Sequence, residues 1–523
     1  MLESWHVVPL QMILKQQLGI FSALVFALVV RANPSLDTIG VTLLRATDAT
    51  LIGTGVNVAQ VEAPENMEGT AWQVNPFNIG QPTNLFTYIS SGGSASNYPN
   101  ALGTQSFHAN SVASHFYGTG VGVAPGVAHV NNYEANHFYQ NIILGGIPIQ
   151  SKIVNQTFIF GATPSQQTVD SQYDTFAAQN NTLFISGVGN SGLPSAPATA
   201  YNGIGVGAFG GSSSVGPTAD NGRSKPDLTA PGSVTSFSTP LVSGAAAILL
   251  QAALRGDAGA GTTTAAADSR TLKTLLLNGA IKPTNWTHTS TAPLDPRYGA
   301  GVLNIFNSYE QLTAGKFPFI ESTTSPAGGA HLPGSNSGNI ASQVGWDFSS
   351  LAGSVSQDRV NHYYFNLPAS TAQNFTLTAT LVWNRAVGQL GIANLDLFLF
   401  NTSNNMLVAS SISTVDNVEH LFVPNLPAGR YDLQVLKNAS LGSETYALAF
   451  EIFAMPLTIA KSGTNIVISW PLAPTGFKLQ SAPNLSPPIS WMTVTNTPVI
   501  TNNQNRVTMS ATATAQFFRL IRP

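Results

Sequence analysis

Residues 240–255 read PLVSGAAAILLQAALR: across the whole stretch the only charge is the final arginine, and small or branched apolar residues fall on every side of a helix. A helix with no wet face has to be covered all round. A proline in its first turn is a start signal, so the spacing predicts a buried helix beginning at Pro240. Residues 55–61 (GVNVAQV), 153–160, 182–186 and 204–208 are short apolar runs bounded by Gly, Asn or Pro. Strands buried on both faces of a parallel sheet look like this. Helical stretches at 109–117 and 166–179 separate them. Strand and helix alternating through short loops predict an α/β fold over residues 33–313: a doubly wound, mostly parallel sheet with helices on both faces.

The texture changes after that. Residues 314–343 are rich in Ser, Thr, Gly, Pro and Asn and read as a linker. Residues 360–367 (VNHYYFNL), 375–383 (FTLTATLVW), 394–400 (NLDLFLF) and 429–436 (GRYDLQVL) then alternate apolar and polar positions. They predict a jelly-roll-like β-sandwich over 344–455. Residues 456–523 form a second, smaller all-β unit, with strands at 465–470 and 516–521. Two all-β domains therefore follow the α/β one, in keeping with 523 residues at roughly 100–200 per domain.

Composition excludes several classes. Charged residues are 9% of the chain, against a usual figure of about 25%, while 43% are hydrophobic. Disordered chains combine low hydrophobicity with high net charge, and this chain does neither. A net charge of −3 without a basic tract argues against a nucleic-acid partner. No cysteine is present, which removes disulfides, thiol nucleophiles and cysteine-ligated zinc. Lys15 precedes an apolar run at residues 18–30, and Ala32 offers a small residue for cleavage. The run is short for a membrane span and has the flanks of a signal peptide over 1–32, with a buried helix as the weaker alternative. The mature chain is expected to be exported, extracellular or on the surface of a bacterium, without a membrane span, and monomeric.

In chain order, residues 53–62 (GTGVNVAQVE), 108–114 (HANSVAS), 122–126 (GVAPG), 186–192 (SGVGNSG), 225–232 (KPDLTAPG), 235–244 (TSFSTPLVSG) and 298–301 (YGAG) resemble motifs of the subtilisin family of serine peptidases. The series covers about half the chain, in the family's order. The resemblance implies a subtilisin-like sheet and a secreted serine endopeptidase acting on proteins or peptides through an acyl-enzyme. It implies Glu62 as the acid that orients His108, His108 as the base, Ser236 as the nucleophile and Asn190 as the oxyanion donor, with no cofactor required.

The chemistry needs these residue types: a nucleophile, a base for its proton, a group to orient the base and donors for the oxyanion. Read without the flanking motifs, Ser236 is equally an N-cap serine, His108 a surface or core histidine, and Asn190 a left-handed turn residue. His115, about two helical turns beyond His108, is too far along to substitute for it. Three departures cluster near the nucleophile. Glu62 stands where the family has Asp, with Glu65 as the reserve acid; Val234 stands where it has Gly; and only residues 233–235 separate the APG turn from Ser236, so that either the primed side of the cleft is more open or the loop is compensated elsewhere. The twenty or so residues between Ala32 and Gly53 are too few for a propeptide domain, so activation by propeptide removal is not expected. The rival class is a catalytically inactive subtilisin-like scaffold serving as a binding or adhesion protein. In the sandwich, Asp396, Asp416 and Glu419 offer hard oxygen ligands, and relatives of such domains hold calcium; solvated turn carboxylates are the favoured reading.

Overall fold

The structure, a computed structural model, describes residues 34–161, 164–324, 341–369, 375–454, 457–472, 474–484, 489–501, 504–511 and 516–521. The segment read as a signal peptide lies outside the described residues.

An eight-stranded sheet forms the frame. Its strands are β1 (Asn57–Glu62), β2 (Phe86–Ser90), β3 (Gly93–Ala95), β4 (His129–Glu134), β5 (Ile153–Gln156), β6 (Leu183–Gly187), β7 (Ile204–Phe209) and β8 (Leu228–Pro231), in the spatial order β8-β7-β6-β5-β1-β4-β2-β3. All pairings are parallel except the β2–β3 hairpin. The alternating side chains of a strand feed two cores. Val58 joins the apolar cluster that holds α3 (Thr235–Arg255), whereas Ala59 and Val61 join the one that holds Val169, Tyr173 and Phe176 of α2 (Gln166–Asn180). Helices thus cover both faces, and α1 (Phe107–Phe116) packs beside α3. By length and composition α3 is the one described helix able to cross a bilayer, but it is a core helix buried against the sheet.

Two readings are corrected. The buried helix begins at Thr235, not at Pro240, which sits one turn inside. Proline has no N–H to donate, so the Ser236 carbonyl loses its helical partner. The strand expected over 153–160 ends at Gln156. Beyond it Phe158 and Phe160 turn into an aromatic group with Tyr139 and Tyr173, and the Phe160 amide bonds to the Ala196 carbonyl at 2.8 Å.

The next strands make two facing antiparallel sheets. One has β9 (Ile320–Thr324), β11 (Asp358–Leu367), β13 (Leu395–Asn401), β14 (Met406–Ser411) and β16 (Gly429–Lys437), the other β10 (Val344–Leu351), β12 (Phe375–Trp383), β15 (Val418–Leu426) and β17 (Glu444–Phe453). Leu377, Leu381, Leu397, Leu433 and Phe450 fill the space between them. Within the stretch read as a linker, β9 pairs along the edge of β11. Helix α4 (Ser269–Asn278) lies against β12 and β17, where the Thr378 and Thr380 hydroxyls both donate to Asn278 Oδ1 at 3.0 Å. A last pair of small sheets closes on Ile468, Trp470, Leu479 and Val507. It is tied back to the α/β region by Thr475, whose amide and hydroxyl donate to Asn307 Oδ1 at 2.9 and 3.0 Å.

Candidate active site

Glu62 is the last residue of β1 and His108 the second of α1. The helix start is fixed twice over. Ser106 caps it through an Oγ that accepts the Ala109 amide at 2.8 Å, and Glu65 accepts the Phe107 and His108 amides, one on each carboxylate oxygen, both at 2.8 Å. An anion at a helix N-terminus is favoured by the helix dipole. This places the His108 ring 2.9 Å, Nδ1 to Oε2, from Glu62, with Glu62 1% and His108 30% exposed. Glu65, the reserve acid, holds backbone amides instead of the imidazole. Burial opposes charging of His108, but the hydrogen bond and charge of Glu62, with the charge of Glu65, outweigh it and hold the imidazole above its ordinary value.

Ser236 is the second residue of α3 and 8% exposed. Its neighbour Thr235 donates from both its amide and its hydroxyl to Asn190 Oδ1, each at 2.9 Å. That fixes the Asn190 amide plane and leaves Nδ2 with no partner among the described residues. The Ser236 amide, an orphan of the helix start, is likewise without one. Both N–H groups belong to the start of the Ser236 helix and to the Asn190 side chain bonded to it. The chain reaches Asn190 through Gly189, whose φ of 103° is left-handed and where a Cβ would stand 2.7 Å from Ser214 Oγ. Glycine is required there.

The departures near Ser236 are locally absorbed. Val234 has φ −144° and ψ 163°, extended backbone that a β-branched residue adopts freely. The short 233–235 connection is held by Ser212, whose amide donates to the Ser233 carbonyl at 2.9 Å. The structure thus joins Glu62 to His108 and Asn190 to the start of the Ser236 helix. Packing of α1 on α3, with the His115 ring stacked 5.5 Å from Phe237, brings the two halves together. Among the described residues no hydrogen bond joins His108 to Ser236; such bonds often tighten only with substrate.

Sequence reasoning missed Gln60, Tyr117 and Thr235. A Gln in an otherwise apolar run, two residues before Glu62 and so on its face, was the available signal. The sandwich carboxylates need a correction: Asp396, Asp416 and Glu419 are 8%, 5% and 0% exposed, not solvated. Asp416 accepts from the amide and hydroxyl of Ser224 and from Ser413, and Glu419 from the Ser413 amide and the Ser411 hydroxyl. Burial pushes Asp396 up to about 6. These oxygens are occupied by protein donors, and among the described residues no three His, Asp or Glu converge as a metal would need. The arrangement does not fit a calcium ligand set.

A parallel α/β sheet with an acid at one strand end, a histidine at a helix start and a serine opening the central buried helix is the architecture of subtilisin-like serine proteases. Residues 88–301 match the model of the subtilase family, Peptidase_S8. Over that stretch the α/β domain matches a divergent subtilase. The matched stretch contains His108, Asn190 and Ser236 and begins after Glu62. Several solved protease structures are similar. A mutant of the protease domain of PatA has 21% identity over 50% of this chain and 97% of that chain, with a TM-score of 0.35. The serine protease of Aeromonas sobria has 14% identity over 90% of this chain and 89% of that one, with a TM-score of 0.31. Fervidolysin from Fervidobacterium pennivorans, a keratinolytic enzyme related to subtilisin, has 15% identity over 83% and 73%, with a TM-score of 0.35. No curated protein matches the chain.

Proposed function

We propose that this chain is an exported serine endopeptidase that cleaves proteins or peptides with a Glu62–His108–Ser236 triad. The observation that carries the reading is the 2.9 Å contact between the buried Glu62 carboxylate and His108 Nδ1, on a helix packed beside the one Ser236 opens. With Nδ1 donating to Glu62, His108 presents a neutral Nε2 as acceptor. Ser236 Oγ attacks the scissile carbonyl carbon while its proton passes to Nε2. The carbonyl oxygen becomes an oxyanion held by Asn190 Nδ2 and the Ser236 amide. His108 returns the proton to the leaving amine as the C–N bond breaks, which leaves an ester on Ser236. Water, activated by the same imidazole, then releases the acid product. The apolar run at 18–30 behind Lys15 supports export.

The test is labelling of the purified chain with a fluorophosphonate, followed by peptide mass mapping, with Ser236→Ala as control. Adduct on Ser236, absent from the control, is the expected result. A folded chain that takes up no label is a binding scaffold, not a peptidase.

A further inference from the structure

We propose that Gln60 is a positioning residue that fixes the Glu62 carboxylate and the His108 helix relative to each other, which lets a glutamate stand as the triad acid. The inference rests on the serine-peptidase reading. Gln60 is fully buried in β1. Its Nε2 donates to Glu62 Oε1 at 2.8 Å and to the Ala109 carbonyl at 2.9 Å, and its Oε1 accepts from the Tyr117 hydroxyl at 2.6 Å. Ala109 directly follows His108 in α1, and Tyr117 caps the far end of that helix. One amide therefore grips the oxygen of Glu62 that His108 leaves free and the backbone beside the imidazole.

The orientation of that amide has one solution. Flipping it sets Oε1 against Glu62 Oε1 and the Ala109 carbonyl, two contacts between acceptors. Tyr117, itself fully buried, donates its hydroxyl to Oε1 and completes the set of bonds in this orientation. That set matters because glutamate has one more rotatable bond than aspartate. A carboxylate bonded only at Oε2 could swing about it; bonded at both oxygens it cannot. Triad geometry is unforgiving, since a misplacement of about 1 Å can cost on the order of a hundredfold in rate.

The experiment compares full-length wild type, Gln60→Leu and Tyr117→Phe. Three quantities are read: the rate of fluorophosphonate labelling at Ser236, the proton NMR resonance of His108 Nδ1–H, and the urea midpoint. Gln60→Leu is expected to slow labelling about 10- to 100-fold and to shift the Nδ1 resonance or lose it to exchange. Tyr117→Phe, which removes one of the three bonds and leaves Gln60 Oε1 without its donor, is expected to change both quantities less. A folded Gln60→Leu chain with wild-type labelling and an unmoved resonance overturns the proposal. Slowed labelling with an unmoved resonance overturns it as well, because the effect then bypasses the Glu62–His108 pair. Should Gln60→Leu not fold, wild-type values in Tyr117→Phe overturn it. If wild type takes no label, the peptidase reading has failed on its own, and the resonance alone decides for or against Gln60.

Discussion

Asn202 of the α/β domain reads the backbone of Arg385 in the sandwich with both halves of its amide: Oδ1 accepts the Arg385 N–H at 2.8 Å and Nδ2 donates to the Arg385 carbonyl at 3.0 Å. The Arg385 guanidinium lies 2.6 Å from Asp174, with both groups 1% exposed, and over the ring of Tyr201, which Arg223 also covers. Asp416 adds its bond to the Ser224 amide nearby. Charges this deeply buried persist only when paired, so the sandwich and the α/β domain share a buried polar junction. Asn202→Leu strands both Arg385 backbone groups, at a cost on the order of 1–3 kcal/mol for each buried group left unpaired. A clear drop in the urea midpoint is expected, monitored by circular dichroism. A midpoint within error of wild type contradicts this account of the junction.

The Glu62–His108 pair sets a pH dependence. The base has to be neutral, so kcat/KM falls as pH drops through the His108 pKa. That pKa is held above the ordinary imidazole value, so the acid limb lies above it. Glu62→Gln removes the charge and the acceptor. The limb is expected to move to lower pH, and the plateau to fall by about 10⁴-fold, because the amide favours the wrong imidazole tautomer. The same pair bears on stability with a definite sign. A histidine whose folded pKa is raised contributes stability that is fully present below the unfolded pKa and is lost as pH rises through the folded one. An unmoved acid limb in Glu62→Gln excludes Glu62 as the orienting acid.

The parallel strands were legible because burial on both faces leaves an apolar run between turn residues, and residues 204–208 fall within β7 as read. Pro240 misled because a Thr235–Asn190 bond begins the helix a turn before it. Residues 157–160 failed for another reason: a run of apolar side chains cannot tell a strand from a loop whose aromatics find their own cluster. Glu62, His108, Asn190 and Ser236 were singled out through motifs. Gln60 was not, since its function lies in contacts with Ala109 and Tyr117, some fifty residues away. The junction was illegible throughout. Asp174, Arg223, Arg385 and Asp416 are charged, and a charged residue read alone is placed in water.

The sandwich carboxylates lead to a prediction about metals. Asp396 receives hydrogen bonds from Asn394 and Asn438, and burial pushes it up to about 6. A carboxylate raised in the folded state contributes stability present below its unfolded pKa and lost as pH rises through about 6. Asp396→Asn is therefore expected to melt higher than wild type well above that pH, with the gap closing as pH falls through it. Chelation with EDTA is expected to leave the melting temperature of wild type unchanged. A lowered melting temperature in EDTA, or an Asp396→Asn chain that melts lower than wild type at high pH, would show that a cation holds this corner of the sandwich.

Ile159 carries the last prediction. Its neighbours Phe158 and Phe160 turn into the aromatic cluster, while Ile159 is 52% exposed and its Cγ2 stands 3.9 Å from where a Cβ on Gly189 would lie. Asn190, the proposed oxyanion donor, comes next in the chain, so on the proposed reading Ile159 stands beside the substrate residue before the scissile bond. A branched residue at that rim favours small side chains there and obstructs large ones. In a pocket of this kind one or two methylenes are worth about 10- to 200-fold in kcat/KM. Ile159→Ala is accordingly expected to raise kcat/KM about tenfold or more for peptides with Phe or Leu before the cut, and to leave those with Ala or Gly there nearly unchanged. The check is a peptide panel varied at that one position and read for both chains. Equal gains across the panel would mean that Ile159 obstructs the cleft as a whole and does not select the residue, and equal rates in both chains would remove it from the substrate path.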